Sequence, residues 1–143
     1  MNQTASLKIS DKGKHIVLSS QQGEIKRVEK FVSQIANELK VNADVYADML
    51  VSLTEAVNNA IIHGNRRDRS KKVEVYVEKS IKDIIFRVCD QGKGFDYKSL
   101  PDPTAPENIC TCGGRGVFLM QQLCDKIKYL DNGRTVEMRF RIK

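Results

Sequence analysis

The sequence predicts an α+β fold, a two-layer sandwich in which a mostly antiparallel mixed sheet has helices on one face. Segments that alternate apolar and polar residues are joined by short turns, which is typical of antiparallel strands. Other segments repeat apolar residues at helical intervals. The 143 residues suffice for one sizeable core. Because we find neither an internal repeat nor a linker, we expect a single domain over residues 1–143.

The first half of the chain is expected to form a hairpin and two helices. The predicted elements are a hairpin of residues 5–10 and 14–19 around Asp11-Lys12-Gly13, a helix from Glu24 to about Val41-Asn42, and a helix from about Ala43 to His63. In the first helix, apolar residues from Ile25 to Leu39 recur at helical intervals. The second helix is expected to stop at Gly64-Asn65, since glycine favours the end of a helix.

The second half is expected to supply most of the sheet. The predicted elements are strands at Lys72–Lys79 and Ile84–Cys89, a helix from about Gly116 to Cys124, and strands at Lys126–Leu130 and Arg134–Ile142. The turns Lys82-Asp83 and Asp131-Asn132-Gly133 imply antiparallel pairs. Residues 96–112 contain all three prolines and little periodicity. A loop of that length in a small domain is more often functional than idle.

Composition excludes several classes of protein. The hydrophobic share of 41% and the charged share of 29% are ordinary for a soluble domain. No apolar run has the length of a membrane span, and no secretory signal is visible, so we expect a cytoplasmic protein without a membrane segment.

The net charge of +6 includes a basic cluster, Arg66, Arg67, Arg69, Lys71 and Lys72. No aromatic residues interleave with it, so we expect a solvated loop and no direct nucleic-acid contact. A basic chain also suits anionic ligands and acidic protein partners.

The four cysteines, Cys89, Cys110, Cys112 and Cys124, are expected to be reduced thiols. Cys110-Thr-Cys112 is too tight for the usual zinc spacing, and no second pair or nearby histidine completes a site. A structural or incidental role is favoured, although oxidation of two exposed thiols in that loop stays open.

The predicted second helix has a polar stripe of Glu55, Asn59 and His63 at four-residue spacing. An apolar stripe lies opposite and consists of Leu50, Leu53, Val57 and Ile61. Exposure of this helix face to solvent would by itself explain the polar stripe. A functional interpretation is also open: the amide oxygen of Asn59 could ligate Mg²⁺ that holds nucleotide phosphates. Glu55 could then accept a proton from water or from a protein hydroxyl.

Two glycine-rich turns follow at intervals along the chain. Asp90-Gln-Gly-Lys-Gly94 ends a strand, and its carboxylate could accept a hydrogen bond from an exocyclic amine such as that of adenine. Gly113-Gly-Arg-Gly116 opens a helix, where unpaired N–H groups and Arg115 suit phosphate oxygens. Ordinary turns would explain each motif alone. The Lys-Ser/Thr signature of a P-loop is absent from the sequence.

Together these motifs resemble the N, G1 and G2 boxes of the GHKL ATPase superfamily and its Bergerat fold. The matching residues, in order, are Glu55-x-x-x-Asn59-Ala60, Asp90-x-Gly92-x-Gly94 and Gly114-x-Gly116. Within that superfamily, the stretches around His63-Gly and Gly114-Arg-Gly-Val-Phe-Leu-Met120 are most similar to bacterial anti-sigma-factor serine/threonine kinases. The resemblance covers essentially the whole chain.

The resemblance implies a role for each matching residue. Glu55 would be the general base toward a serine hydroxyl, and Asn59 would be the Mg²⁺ ligand. Asp90 would accept from the adenine amine, and His63 would orient Asn59 or the following turn. The implied ATP-binding set is Asn59, His63, Asp90, Gly92, Gly94, Gly113, Gly114, Arg115, Gly116 and Val117. Residues 96–113 would form the ATP lid.

The resemblance also implies partners. Such kinases phosphorylate a STAS-domain anti-anti-sigma protein, bind a sigma factor and commonly form homodimers. Two alternatives stay open: an ATP-gated binding module without kinase activity, and a detached histidine-kinase catalytic domain. The chain departs from the family at Arg134, where threonine is common after the hairpin glycine; Thr135 follows one place on. The threonine contact that supports Asp90 is therefore open, and Cys110 and Cys112 have no family role.

Overall fold

The computed structural model describes residues 13–94 and 114–142. The elements in chain order are β1 Lys14–Ser19, α1 Ile25–Leu39, α2 Ala43–Asn59, β2 Lys72–Lys79, β3 Asp83–Cys89, α3 Gly114–Leu123, β4 Lys126–Leu130 and β5 Thr135–Arg141. Short 3₁₀ turns cover Gln22–Glu24 and Asp131–Gly133, and a π-helical turn covers Ala60–Gly64. The predicted strand at 5–10 and the predicted lid at 96–113 lie outside the described residues.

The strands form one five-stranded sheet in the order β1-β2-β3-β5-β4. Within the described ranges every pairing is antiparallel. The predicted α+β two-layer fold is confirmed, but no parallel pair is found among these strands, so the sheet is antiparallel and not mixed. β1 pairs with β2, far along the chain, in the register Lys14↔Val77 to Ser19↔Lys72. Tight turns join β2 to β3 and β4 to β5, as the sequence predicts.

One face of the sheet packs against the helices. Residues of neighbouring strands that share this face are in register, for example Val77↔Phe86 and Phe86↔Met138. Phe86 is fully buried and meets Phe140 edge to face at 6.0 Å between ring centroids. Helix α2 lies between α1 and α3 and also contacts β3 and β5. We call this face, with the helix residues packed on it, the core face.

The helix ends have specific caps. The Asn42 side chain accepts a hydrogen bond from the Val45 N–H at 2.9 Å and so begins α2. Helix α1 ends earlier than predicted, because Lys40 adopts a left-handed conformation with φ 54°. In the described part of the chain, no helix is both long enough and apolar enough to cross a membrane.

The second helix differs from the prediction at its end. The regular α-helix stops at Asn59, and the chain continues as a π-helical turn, Ala60–Gly64. The Asn65 N–H donates to the Ala60 carbonyl at 2.8 Å, the i→i+5 bond of that geometry. Gly64 has no left-handed φ, so the glycine is not needed for a helix cap. Its role is the close contact described below.

Candidate functional site

Glu55 and Asn59 lie on the last turns of α2, and both are half-buried. Four-residue spacing on a regular α-helix places one above the other. The other side of the helix is held in the core by Leu53 and Val57, which are fully buried. The structure therefore brings the predicted base and the predicted magnesium ligand together on one rigid face.

His63 follows on the π-helical turn and is exposed. A π-helical turn contains more residues than an α-helical turn, so a residue four places on lags behind its α-helical position. Of the three-residue stripe in the sequence, Glu55 and Asn59 thus lie on the regular α-helix, whereas His63 lies on the π-helical turn that follows it. π-Helical turns inside helices are frequent at functional sites.

The end of the π-turn touches the first glycine-rich turn. A side chain at Gly64 would collide with the Asp90 carboxylate, and a side chain at Gly92 would collide with the Gly64 carbonyl. Gly94 has φ 82°, and a side chain there would collide with the carbonyl of Asn132. Backbone contacts therefore leave no room for a side chain at Gly92 or Gly94, and a side chain at Gly64 would displace the Asp90 carboxylate. This contact joins the Glu55–Asn59 helix to the Asp90 turn.

Asp90 is half-buried at the end of β3. Its Oδ1 accepts a hydrogen bond from the Gly92 N–H at 2.8 Å. Burial raises the pKa of this carboxyl, while the Gly92 N–H and the charges of Arg134 and Lys71 oppose the rise. An ionised carboxylate has about four acceptor positions, so Asp90 retains capacity for a further donor such as an amine. That capacity fits the exocyclic amine of adenine.

Asn65 was predicted only as a helix stop, but its side chain is buried, with 1% exposure. Its Oδ1 accepts from the Gln91 N–H at 2.7 Å. Its Nδ2 donates to Ser20 Oγ and to the Lys72 carbonyl, both at 2.9 Å. One carboxamide therefore connects the end of the π-turn to β1, β2 and the Asp90 turn.

Arg134 holds the same turn from the opposite side. Its Nε donates to the Gly92 carbonyl at 2.9 Å, and the Asp90 N–H donates to its carbonyl at 2.9 Å. Thr135 does not take the place of the family threonine, because its Oγ1 donates to Cys89 Sγ at 3.4 Å. Arg134 therefore supports the turn in a different way from the family threonine, because its side chain binds the backbone at Gly92 and not the Asp90 carboxylate.

The third predicted piece begins α3 at Gly114, next to α2. Arg115, Gly116 and Val117 lie in its first turn, and Gly113 lies outside the described residues. The first N–H groups of a helix have no partner within the helix and favour anions. For Mg²⁺, the half-buried amide of Asn59 is a hard oxygen ligand of the kind the ion prefers, with phosphates and water as further ligands.

Comparison with known proteins identifies the family of the chain. Residues 18–140 match the histidine kinase-like ATPase domain, so the chain belongs to that family, and the GHKL prediction is confirmed. It is similar to the serine-protein kinase RsbW of Bacillus licheniformis, with 30% identity over 75% of this chain and 71% of the relative. RsbW of Listeria innocua is 25% identical over 75% of this chain and 73% of the relative.

A solved structure shows the same fold. The chain superposes on the structure of the RsbU and RsbW domains of a Mycobacterium tuberculosis protein with a TM-score of 0.67 and 16% identity. The match covers 90% of this chain and 32% of that longer chain. Membership of an ATPase domain family implies ATP binding, and the similarity to RsbW relates the chain to serine-protein kinases.

Proposed function

We propose that the protein is an ATP-dependent serine/threonine kinase that phosphorylates a STAS-domain anti-anti-sigma protein. The supporting observation is the Gly64–Asp90 contact, which joins the helix of Glu55 and Asn59 to the turn suited to adenine. Similarity to serine-protein kinases of the RsbW type supports the reaction class.

Each residue has a distinct role in this proposal. Asp90 accepts from the adenine amine, with Gly92 and Gly94 along the base, and His63 lies at the edge of the site. The first turn of α3, with Gly113 before it, receives the phosphates. Asn59 holds Mg²⁺ through its amide oxygen. When bound, Mg²⁺ neutralises phosphate charge, and phosphoryl transfer depends mainly on such positioning and charge stabilisation.

Glu55 lies one helical turn before Asn59, and in this proposal its carboxylate accepts the proton of a substrate hydroxyl. A nucleotide-binding module needs Asn59 and Asp90 but has no need of this carboxylate. Glu55 therefore distinguishes a kinase from a protein that only binds ATP.

The partners follow from the same proposal. The protein would bind a sigma factor when its antagonist is phosphorylated and release it when the antagonist is not, as a homodimer in the cytoplasm. The basic composition, with a net charge of +6, suits acidic surfaces on such partners.

Glu55→Gln tests the kinase role. We expect the variant to bind Mg-ATP with an affinity close to that of the wild type and to lose transfer of labelled phosphate to a STAS-domain protein from the same genome by about 10²-fold or more. Asp48→Asn is the matched control, because Asp48 lies on α2 about two turns before Glu55. Undiminished transfer by Glu55→Gln would remove Glu55 from the mechanism. Binding without transfer by the wild type would favour an ATP-gated module.

A further inference from the structure

The turn that carries Asp90 is held by side chains that are not part of any of the three nucleotide-binding motifs. Two of these side chains approach from opposite sides: Asn65 from the end of the π-turn and Arg134 from the start of β5. They are 26 and 42 residues away in sequence from the backbone groups that they bind.

The Asn65 contacts fix the position of the turn relative to the helix. Its carboxamide is buried, and its oxygen accepts from the Gln91 N–H at 2.7 Å. The amide nitrogen is itself held by Ser20 Oγ and the Lys72 carbonyl, and Ser20 Oγ donates to the Lys71 carbonyl at 2.7 Å. A buried carboxamide with its donors and acceptor satisfied has one orientation, because rotation would leave polar groups unpaired.

The Arg134 contacts fix the other side of the turn. Its Nε donates to the Gly92 carbonyl, and its Nη1 donates to Asp131 Oδ1 at 3.2 Å. Asp131 and Asn132 both have left-handed φ values, 51° and 55°, and the Asn132 carbonyl lies against Gly94. Arg134 therefore ties the hairpin turn between β4 and β5 to the glycines beside Asp90.

We propose that Asn65 and Arg134 are positioning residues that set selectivity for the adenine base by holding the Asp90 turn against Gly64. Neither residue is assigned a contact with the nucleotide. This inference rests on the proposed role of Asp90 but is independent of whether the bound nucleotide is a phosphate donor. Small displacements matter here, because hydrogen bonds weaken steeply outside a narrow range of distance and angle.

The test compares ATP with inosine triphosphate, whose base lacks the amino group that Asp90 would recognise. Calorimetric titration with Mg²⁺ gives the ratio of the two dissociation constants at a temperature where each variant is folded. We expect Asn65→Ala to reduce the preference for ATP by about tenfold, equivalent to one lost hydrogen bond of about 1.4 kcal/mol. The affinity for inosine triphosphate should change much less.

Ser20→Ala is the matched control for Asn65→Ala. It removes the bonds from Ser20 to Asn65 and to Lys71. The bonds from Asn65 to Gln91 and to the Lys72 carbonyl remain and still fix the orientation of the carboxamide. We expect it to lower stability and to keep the ATP preference of the wild type. Equal loss of preference in both variants would show that general loosening is responsible, and the proposal would be wrong.

Arg134→Met provides a second test should Asn65→Ala fold poorly, because the Arg134 side chain is 31% exposed and its loss leaves no cavity in the core. Arg139→Met is its control, with the same 31% exposure but ion pairs away from the turn. We expect a severalfold loss of ATP preference in Arg134→Met and none in Arg139→Met. A wild type without preference for ATP would overturn the Asp90 role and this inference together. A wild-type preference that both variants retain would overturn this inference alone.

Discussion

The core face of the sheet and the end of the sheet that carries the candidate site are stabilised by different interactions. On the core face, strands are held to helices by apolar side chains such as Phe86, Met138 and Phe140, all at 2% exposure or less. At the site end, the contacts are hydrogen bonds of Asn65 and Arg134 to backbone groups. Apolar packing is non-directional, whereas hydrogen bonds fix distance and angle. The core face therefore sets stability, and the site end sets the geometry needed for recognition.

The largest expected effect is on the core face. Phe86→Ala should lower the free energy of unfolding by about 3–5 kcal/mol, since the side chain is fully buried and its removal leaves a cavity. Urea denaturation followed by circular dichroism measures this. Ile81→Ala is the control, because Ile81 is 94% exposed and its loss should change stability by less than about 0.5 kcal/mol. A similar change in the free energy of unfolding for both variants would contradict the placement of Phe86 in the core.

A smaller effect is expected on the open face of the sheet, opposite the helices. Arg87 Nε pairs with Glu137, whose side chain is 7% exposed, at 2.9 Å. Arg87→Met should lower the free energy of unfolding by about 1–3 kcal/mol. The reason is that Glu137 stays buried with Arg139 as its remaining ion-pair partner in the described contacts. Glu78→Gln removes the exposed partner of Arg87 and should cost less than about 0.5 kcal/mol. Thermal melting distinguishes the two, and the reverse order would refute the buried pair.

At the site end, Glu24 provides a pH-dependent test. Its carboxylate accepts from the Ser19 N–H at 2.9 Å, and this bond, with smaller help from Arg27, lowers its pKa below the usual 4.5. Because the folded pKa is the lower one, the stabilisation is present above pH 4.5 and is lost as pH falls through the folded pKa. Glu24→Gln should cost about 0.5–1.5 kcal/mol at pH 7. The difference in unfolding free energy between the wild type and the variant should shrink as pH falls. A difference that does not change with pH would disprove the link between Glu24 ionisation and stability.

The smallest effect is expected in a thiol-labelling experiment, which leaves the sequence unchanged. Burial raises the pKa of Cys124 to about 11, and its Sγ donates to the buried Ser52 hydroxyl at 3.7 Å. Burial also raises the pKa of Cys89, which is half-buried at the site end. At pH 8 both thiols are mostly protonated, so iodoacetamide should label Cys124 only on unfolding and Cys89 slowly in the native state. Peptide mass spectrometry measures both; rapid native labelling of Cys124 would contradict its burial.

Local patterns in the sequence predicted the elements closely. The strands Lys72–Lys79 and Lys126–Leu130 have the bounds that alternation predicted, because alternation depends only on neighbouring residues. The α+β class and the Asp90 turn followed from the same kind of evidence. The prediction of the end of α2 was less accurate, since the π-turn depends on what Gly64 contacts and not on helix periodicity.

By itself, the sequence determined the elements, the fold class and the three motifs, since each is a property of residues close together in the chain. Only the tertiary structure decided that the sheet is wholly antiparallel in the described ranges and that β3 pairs with β5. It also decided that Asn65 is a buried link and that Arg134, not Thr135, holds the Asp90 turn. Those contacts join residues far apart in sequence, and their geometry depends on strand order and packing, which no local pattern encodes.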